Sequence, residues 1–486
     1  MEVTIEKELT RVYPGEDETD IVIPEGVTKI TREIDHGALE LCCKMNSITF
    51  PKSVTFIAPD VFTSPNYGAL TNHGIEIFPY RNVVKNYYVT EGNEYYKSVN
   101  GALYRVYSDG DVLVRYPAGR HDEHIIIPEG VTEIGYYALN GCTYNGVRTI
   151  TFPKSLQTIA DDLGVVSYTD DWEYNLDYGD KSISEAMGID NTLETFIVED
   201  ENPHMKSIDG VLFTDCGETL KRYPTGKKDR VYRIPDGVTR IFRGAFFQCE
   251  YLEEIIIPDS VNLIEDGAFQ RCNHLKKLVL PSGIKEIAPF TFVGCTRLET
   301  LEIPEGVKEI GCNAFIGCWN LKRLHLPESV TALGEDCFGY CTAMVYIPNK
   351  IVDLEMIQLA LGDYCDCAWM QLAGFEVSPD HPTFSTVDGS LFDKDMKTLF
   401  YINGTATEYT IPDGVEKVAE GAAALCEFSI RKLVIPSSVK VFENIYRTEE
   451  SDLIEDIQYQ GEPCFDEAIF EGTIWYNKRH DDHIDE

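Results

Sequence analysis

Fifteen cysteines are the residues best suited to chemistry in this chain of 486. Five of them, Cys249, Cys272, Cys295, Cys318 and Cys341, fall 23 residues apart. A metal centre needs several thiolates converging on one point, and even spacing sets them in a line instead. Disulfides between neighbours in a parallel stack are opposed by Cβ vectors that aim the same way. The spacing therefore predicts buried, reduced thiols that fill a narrow corner as small apolar groups. Because 15 is odd, at least one thiol has no partner within the chain. Cys365 and Cys367, with Cys337 and Cys341 upstream, form the local thiol cluster. CxC is a poor zinc spacing, and the upstream pair occupies repeat positions, so no metal site is expected.

The other candidates give little. The ten histidines are scattered, with no second histidine at a ligand spacing. His480 and His483 stand among carboxylates in the tail RHDDHIDE, which reads as a solvated terminus. No GxxxxGK(S/T), GxGxxG, HExxH or GxSxG motif is present. A non-enzymatic chain without a cofactor is expected. Residues 161–191 carry nine carboxylates together with Tyr168, Trp172, Tyr174 and Tyr178. Read from Asp171 as a calcium loop, they place Leu176 where glycine is required, so that template fails. Trp172, Tyr174 and Tyr178 are binding candidates as protein-docking anchors or a carbohydrate platform. The plainer reading is a solvated excursion with some aromatics packed back on the core.

Charge removes whole classes of partner. Against 42 Lys and Arg stand 81 Asp and Glu, a formal charge of −39. Such a chain repels nucleic-acid phosphates and anionic membrane surfaces. No apolar stretch approaches the roughly 18 residues of a membrane-spanning helix. The N-terminal MEVTIEKELTRVYPGEDETD has neither a basic region nor an apolar run, so a protein starting at Met1 is expected in the cytoplasm.

Stepping from single residues to spacing, the chain is a repeat protein. Pro235, Pro258, Pro281, Pro304 and Pro327 also fall 23 residues apart. One unit reads Leu252, Ile255, Ile257, Pro258, Val261, Ile264, Ala268, Phe269, Cys272, and the next follows in register. Weaker copies surround Pro24, Pro51, Pro128, Pro153, Pro348, Pro412 and Pro436. A Leu-x-x-Ile-x-Ile strand is too short to bury its apolar face alone, and stacking one copy per rung yields a parallel sheet with a continuous interior. Proline, lacking an N–H, marks the corner at the strand end. A second element, YKSVNGALY at 96–104, MKSIDGVLF at 205–213 and FSTVDGSLF at 384–392, reads as a hairpin about an Asn-Gly or Asp-Gly turn. The strand stack is expected to continue through these insertions.

These units resemble the BspA-type leucine-rich repeat, with its Leu-x-x-Ile-x-Ile/Leu-Pro strand, Val-x-x-Ile segment and Ala-Phe-x-x-Cys corner. The IDGVLF hairpins and RYPTG at 222–226 resemble that family too. The resemblance spans most of residues 20–460 and departs from the plant and receptor type, which carries Asn where this chain has Pro. It implies a bacterial surface or secreted protein that binds a macromolecule, without naming the ligand.

The expected fold is a β-rich solenoid, a right-handed leucine-rich-repeat superhelix of about sixteen rungs with three hairpin insertions. The chain divides into repeats over 1–92, a hairpin with repeats over 93–201, a hairpin with the regular array over 202–378, and a hairpin with final repeats and an acidic tail over 379–486. A monomer binding a protein, or a carbohydrate, is expected, either as an adhesin-like surface protein or as an intracellular scaffold. Strand positions facing solvent form columns: Glu253, Lys276, Glu299, Lys322; Glu254, Lys277, Thr300, Arg323; and Ile256, Val279, Glu302, His325. Alternating signs make this the least negative surface, and Lys277, Glu302, Arg323 and His325 are candidates for a concave docking face. A charge ladder that serves solubility is the competing reading.

Overall fold

A computed structural model describes residues 8–9, 19–33, 36–37, 45–59, 61–62, 84–136, 138–139, 146–160, 192–362, 372–426, 429–444, 454–462, 465–471 and 473–480. The chain is a β-solenoid of about 15 turns with almost no helix. It divides into two compact units, Met1–Lys228 and Asp229–Glu486.

In the second unit each rung has three walls. The first is built from short parallel strands: Val231–Arg233, Glu254–Ile256, Lys277–Val279 and Thr300–Glu302 form one sheet. The second wall holds two-residue strands such as Glu286–Ile287, Glu309–Ile310 and Ala332–Leu333. The third is a run of turns with its own ladder. Phe246 N–H donates to Ala268 O, Phe269 to Thr291 O, Phe292 to Ala314 O and Phe315 to Cys337 O, at 2.8–3.1 Å. Backbone polar groups at this corner therefore find partners one rung away.

Left-handed residues make these turns possible. Gly244, Gly267, Phe290, Asn313 and Asp336 all have φ between 51° and 60°, at the same point of successive rungs. A bulky side chain such as Phe290 pays for that conformation, which persists because the ladders on either side fix it.

The interior is as the repeat predicts. Leu252, Ile255, Val261, Ile264, Ala268, Phe269 and Cys272 are all buried, whereas Ile257 is only half-buried. Phe246, Phe269, Phe292, Phe315 and Phe338 stack ring over ring, with centroids 5.4–6.5 Å apart and planes tilted by 8–22°.

The Pro corner carries an alternation. A Pro-x-Gly rung is followed by a Pro-x-Ser rung at Pro24/Pro51, Pro128/Pro153, Pro235/Pro258, Pro304/Pro327 and Pro412/Pro436. Gly26, Gly130, Gly306 and Gly414 donate their N–H to Ser53, Ser155, Ser329 and Ser438 of the next rung at 2.9–3.0 Å. Ser53, Ser155 and Ser329 donate in turn to Val27, Val131 and Val307 O at 2.6–2.8 Å. The glycines sit at φ 94–110°, where a side chain is strained, and one hydroxyl then serves two backbone groups.

The hairpins contain the expected tight turns. Asn100-Gly101, Asp209-Gly210 and Asp388-Gly389 have positive φ at both residues, the type I′ pattern. Their effect on the stack differs from expectation. Tyr87, Phe196 and Phe375 N–H donate to Gly101, Gly210 and Gly389 O at 2.8–2.9 Å. The turn thus supplies the carbonyl that a following strand would have offered, and the first-wall sheet ends there. The second wall continues, as the outgoing strands Asp111–Arg115 and Thr398–Tyr401 pair in parallel with Val131–Ile134 and Lys417–Val418, and so does the third-wall ladder, with Tyr116 and Ile402 N–H donating to Ala138 and Ala422 O at 2.8 and 2.7 Å. Gly101 is favoured by its φ of 77°, and a Cβ there would also push Asn86 Oδ1, 2.6 Å away, aside.

One helix, Leu354–Leu361, was not expected. It is capped by the Asp353 carboxylate accepting from Glu355 N, and it takes the third-wall place of one rung, with Leu359 and Ala360 carbonyls accepting from Asp336 and Phe338. A second, Ile474–His480, brings Trp475 over the last core cluster, beside Phe470.

Phe269→Ala or Phe292→Ala should cost about 3–5 kcal/mol, because ladders above and below keep the hole from collapsing. Urea unfolding followed by circular dichroism measures it, and an unchanged midpoint would contradict the stacked core. Segmental unfolding ahead of the main transition is also expected, as contacts run only between neighbouring rungs.

Candidate binding face

The cysteine row is part of the scaffold. Cys249, Cys272, Cys295, Cys318, Cys337, Cys341 and Cys426 are buried, and none of the nine described cysteines is in a disulfide. Cys272, Cys295 and Cys318 donate S–H to Phe246, Phe269 and Phe292 O at 3.1, 3.1 and 3.3 Å. Burial pushes the thiols of Cys295, Cys318 and Cys337 well up, and that of Cys341 to about 12. They are poor nucleophiles and poor metal ligands. Among the described residues no group of three His, Cys, Asp or Glu is placed to hold a metal. Cys365 and Cys367 lie outside the described residues.

On the first wall the strand pattern is exposed–buried–exposed, so the outer residues of each three-residue strand face solvent. Lys277 sits in register between Glu254 and Thr300, and Glu302 lies beside Val279. Charge pairing along the neighbouring column is real. Glu253 accepts from Lys276 at 2.8 Å and from Arg230 at 2.9 Å, and the Lys276 bond holds its carboxyl below the usual range. Lys277 and Glu302 have no ion pair among the described residues.

Arg323 and His325 belong to a different sheet. Arg323–His325 pairs with Met344–Ile347, which pairs with Gly374–Val377. The hydrogen-bonded ladder stops between Glu302 and Arg323. The candidates thus fall into two groups, Lys277 with Glu302 and Arg323 with His325. Arg323 makes a two-oxygen contact with Glu376, one arm at 2.6 Å, which raises its already high pKa. His325 stacks on Tyr346 at 4.4 Å, and Tyr346 Oη donates to Glu328 at 2.9 Å. The 23-residue phase missed Glu376 and Tyr346 because the rung after Pro327 is shorter, bringing Pro348 only 21 residues later, and the helix rung then shifts the register again.

Trp172, Tyr174 and Tyr178 lie outside the described residues. In the first unit the solvent-facing columns are nearly free of charge: Val22, Thr49 and Tyr88 are in register, as are Ile126, Thr151 and Ile197. Ile126 is 70% exposed and Val22 61%, a more apolar surface than the column ending at His325. Its signal lies in the repeat phase, on rungs whose spacing is less regular than that of residues 230–345.

Parallel strands stacked one per rung, with a Pro corner and a Phe–Cys corner, define a leucine-rich-repeat protein, a class built for protein interaction. A profile of the BspA type leucine rich repeat region matches in six copies, over residues 15–71, 121–163 and 230–345, so the repeats over those residues are of that type. Among solved structures, the pneumococcal vaccine antigen PcpA is 18% identical with a TM-score of 0.41, covering 89% of this chain and 90% of its own. A leucine-rich repeat protein from Eubacterium ventriosum is 20% identical with a TM-score of 0.37, covering 66% and 82%. One from Bacteroides ovatus is 17% identical with a TM-score of 0.34, covering 91% of each chain. No curated protein matches. No helix among the described residues is long and apolar enough to cross a membrane.

A bulky thiol reagent applied to the native protein at pH 8 should modify exposed Cys216 and Cys312 first and leave Cys272, Cys295 and Cys318 untouched until denaturant is added. Peptide mapping of the labelled sites checks this, and early labelling of the ladder would contradict it.

Proposed function

We propose that this protein binds a macromolecular partner, without catalysis, across the solvent face of its first-wall strands, in an adhesin-like surface or secreted role. The observation that carries the reading is the outward charge and aromatic set on residues 253–325. Lys277 is an exposed cation with no ion pair among the described residues. Arg323 donates from one guanidinium nitrogen to both carboxylate oxygens of Glu376 while staying 70% exposed. His325 and Tyr346 offer a stacked platform beside it. Rigid aromatics and Arg on fixed strands are the side chains that carry most binding energy at protein interfaces. A protein partner with acidic and planar groups suits this set, and the insertion bearing Trp172, Tyr174 and Tyr178 is the second candidate surface.

An intracellular interaction scaffold is the second reading. It is favoured by nine described cysteines without a disulfide, the usage of a reducing compartment.

The test is binding to immobilised extracellular-matrix proteins and glycans by wild type and a Lys277→Glu/Arg323→Gln variant, the glutamine keeping a donor for Glu376. Captured ligands should bind the variant at least about tenfold more weakly with an unchanged melting temperature, about 1.4 kcal/mol. Equal binding by a folded variant would move the site off this face.

A further inference from the structure

Each hairpin is anchored by one side chain just after the first-wall strand, half-buried at Asn93 and buried at Asn202 and His381. In the first hairpin Asn93 Nδ2 donates to Pro51 and Val54 O at 3.0 and 2.9 Å, while its Oδ1 accepts from Tyr95 and Tyr96 N at 2.8 Å each. In the second, Asn202 does the same, donating to Pro153 and Leu156 O at 2.9 Å each and accepting from His204 and Met205 N at 2.8 and 3.0 Å. The amide is a clip: its donor end holds the previous rung's Pro corner and its acceptor end holds the hairpin's entry.

The third hairpin replaces this amide with an imidazole. His381 is fully buried, and its Nδ1 accepts from Thr383 and Phe384 N at 3.2 and 3.0 Å. Its Nε2 faces the carbonyls of Pro348 and Ile351 without reaching full hydrogen-bond geometry. The roles match those of the asparagines, with Nδ1 in place of Oδ1 and Nε2–H in place of the amide donor. An asparagine keeps its acceptor at every ordinary pH. An imidazole does not, because protonation turns Nδ1 into a donor aimed at two N–H groups.

We propose that His381 is an acid-triggered latch: a solvent proton taken up on Nδ1 breaks both bonds to Thr383 and Phe384, and the hairpin Phe384–Asp393 detaches from the Pro348 corner. Few charges stand against this. Lys394, whose Nζ donates to Pro379 O, opposes the proton, and Glu328, held by Tyr346 Oη and Asn349 N, favours it. Burial outweighs both and lowers the imidazole pKa from its ordinary value. With the folded value lowered, the latch is intact above about pH 6.5, where both forms are neutral, and weakens as pH falls below that, where only the opened form takes the proton. Glu376 lies on the strand entering this loop, so opening adjoins Arg323 as well.

Hydrogen exchange of the whole protein, followed by mass spectrometry at pH 7.5, 6.5 and 5.5 and corrected for intrinsic exchange, tests the latch. Protection of peptides from 378–396 should fall about tenfold between pH 7.5 and 5.5. Peptides from 199–215, clipped by Asn202 in the same molecule, should hold steady. His381→Asn should make the third hairpin behave like the second. If 378–396 tracks 199–215 in wild type, or if a folded His381→Asn keeps the fall, the proposal is overturned. Should that variant fail to fold, the comparison of the two hairpins in wild type decides alone.

Discussion

Every rung of this protein takes its hydrogen-bond partners from its neighbours. Strands of two or three residues cannot satisfy their own backbone, and the third wall is mostly turns, yet it carries a ladder from Phe246 to Ala268, Phe269 to Thr291 and onward to the helix Leu354–Leu361. That requirement explains the composition of the corners. A ring at each Phe position stacks on the next, and the thiol five positions before each new strand is small enough for the corner and still donates to a carbonyl left with a spare lone pair. A serine at the Pro corner does the equivalent work with a hydroxyl. The interior is apolar in volume but is specified by these few donors.

Much of this was legible in the sequence. The 23-residue phase of Leu, Phe and Cys is a direct record of stacking, since equivalent positions must touch their own copies. The Asn-Gly and Asp-Gly turns were legible because few other dipeptides accept positive φ twice in succession. What escaped notice involved contacts between unlike rungs. The Gly–Ser alternation is visible as Pro-x-Gly against Pro-x-Ser, but its meaning depends on knowing which rung lies next to which. The helix Leu354–Leu361 fills a place defined by shape, not by period. Glu376 reaches Arg323 across two irregular rungs. His381 stands at the same distance from its turn glycine, eight residues, as Asn93 and Asn202, but the shared role shows only once the bonds those asparagines make are seen.

The binding face follows the same division. Register alone placed Lys277 opposite Glu254 and put Arg323 and His325 on one outward edge. The backbone ladder of the first wall stops after Glu302, while the second wall runs on through Ile310 and Leu333. The rungs on either side of that stop are still 23 residues apart, so the phase of the columns does not reveal it. The uncharged columns through Ile126 and Ile197 show the converse, a surface fully written in the phase yet far from its most regular part.

The hairpin turns that cap the first wall also bear on how such a chain changes length. An open parallel edge is a liability, because any strand can add to it. Here Gly101, Gly210 and Gly389 present a finished edge inside the chain, not only at its ends. A duplication or loss of whole 23-residue units between two caps leaves both caps in place and exposes no new edge. The array between residues 230 and 345, where the copies are most alike, lies between the Gly210 and Gly389 caps.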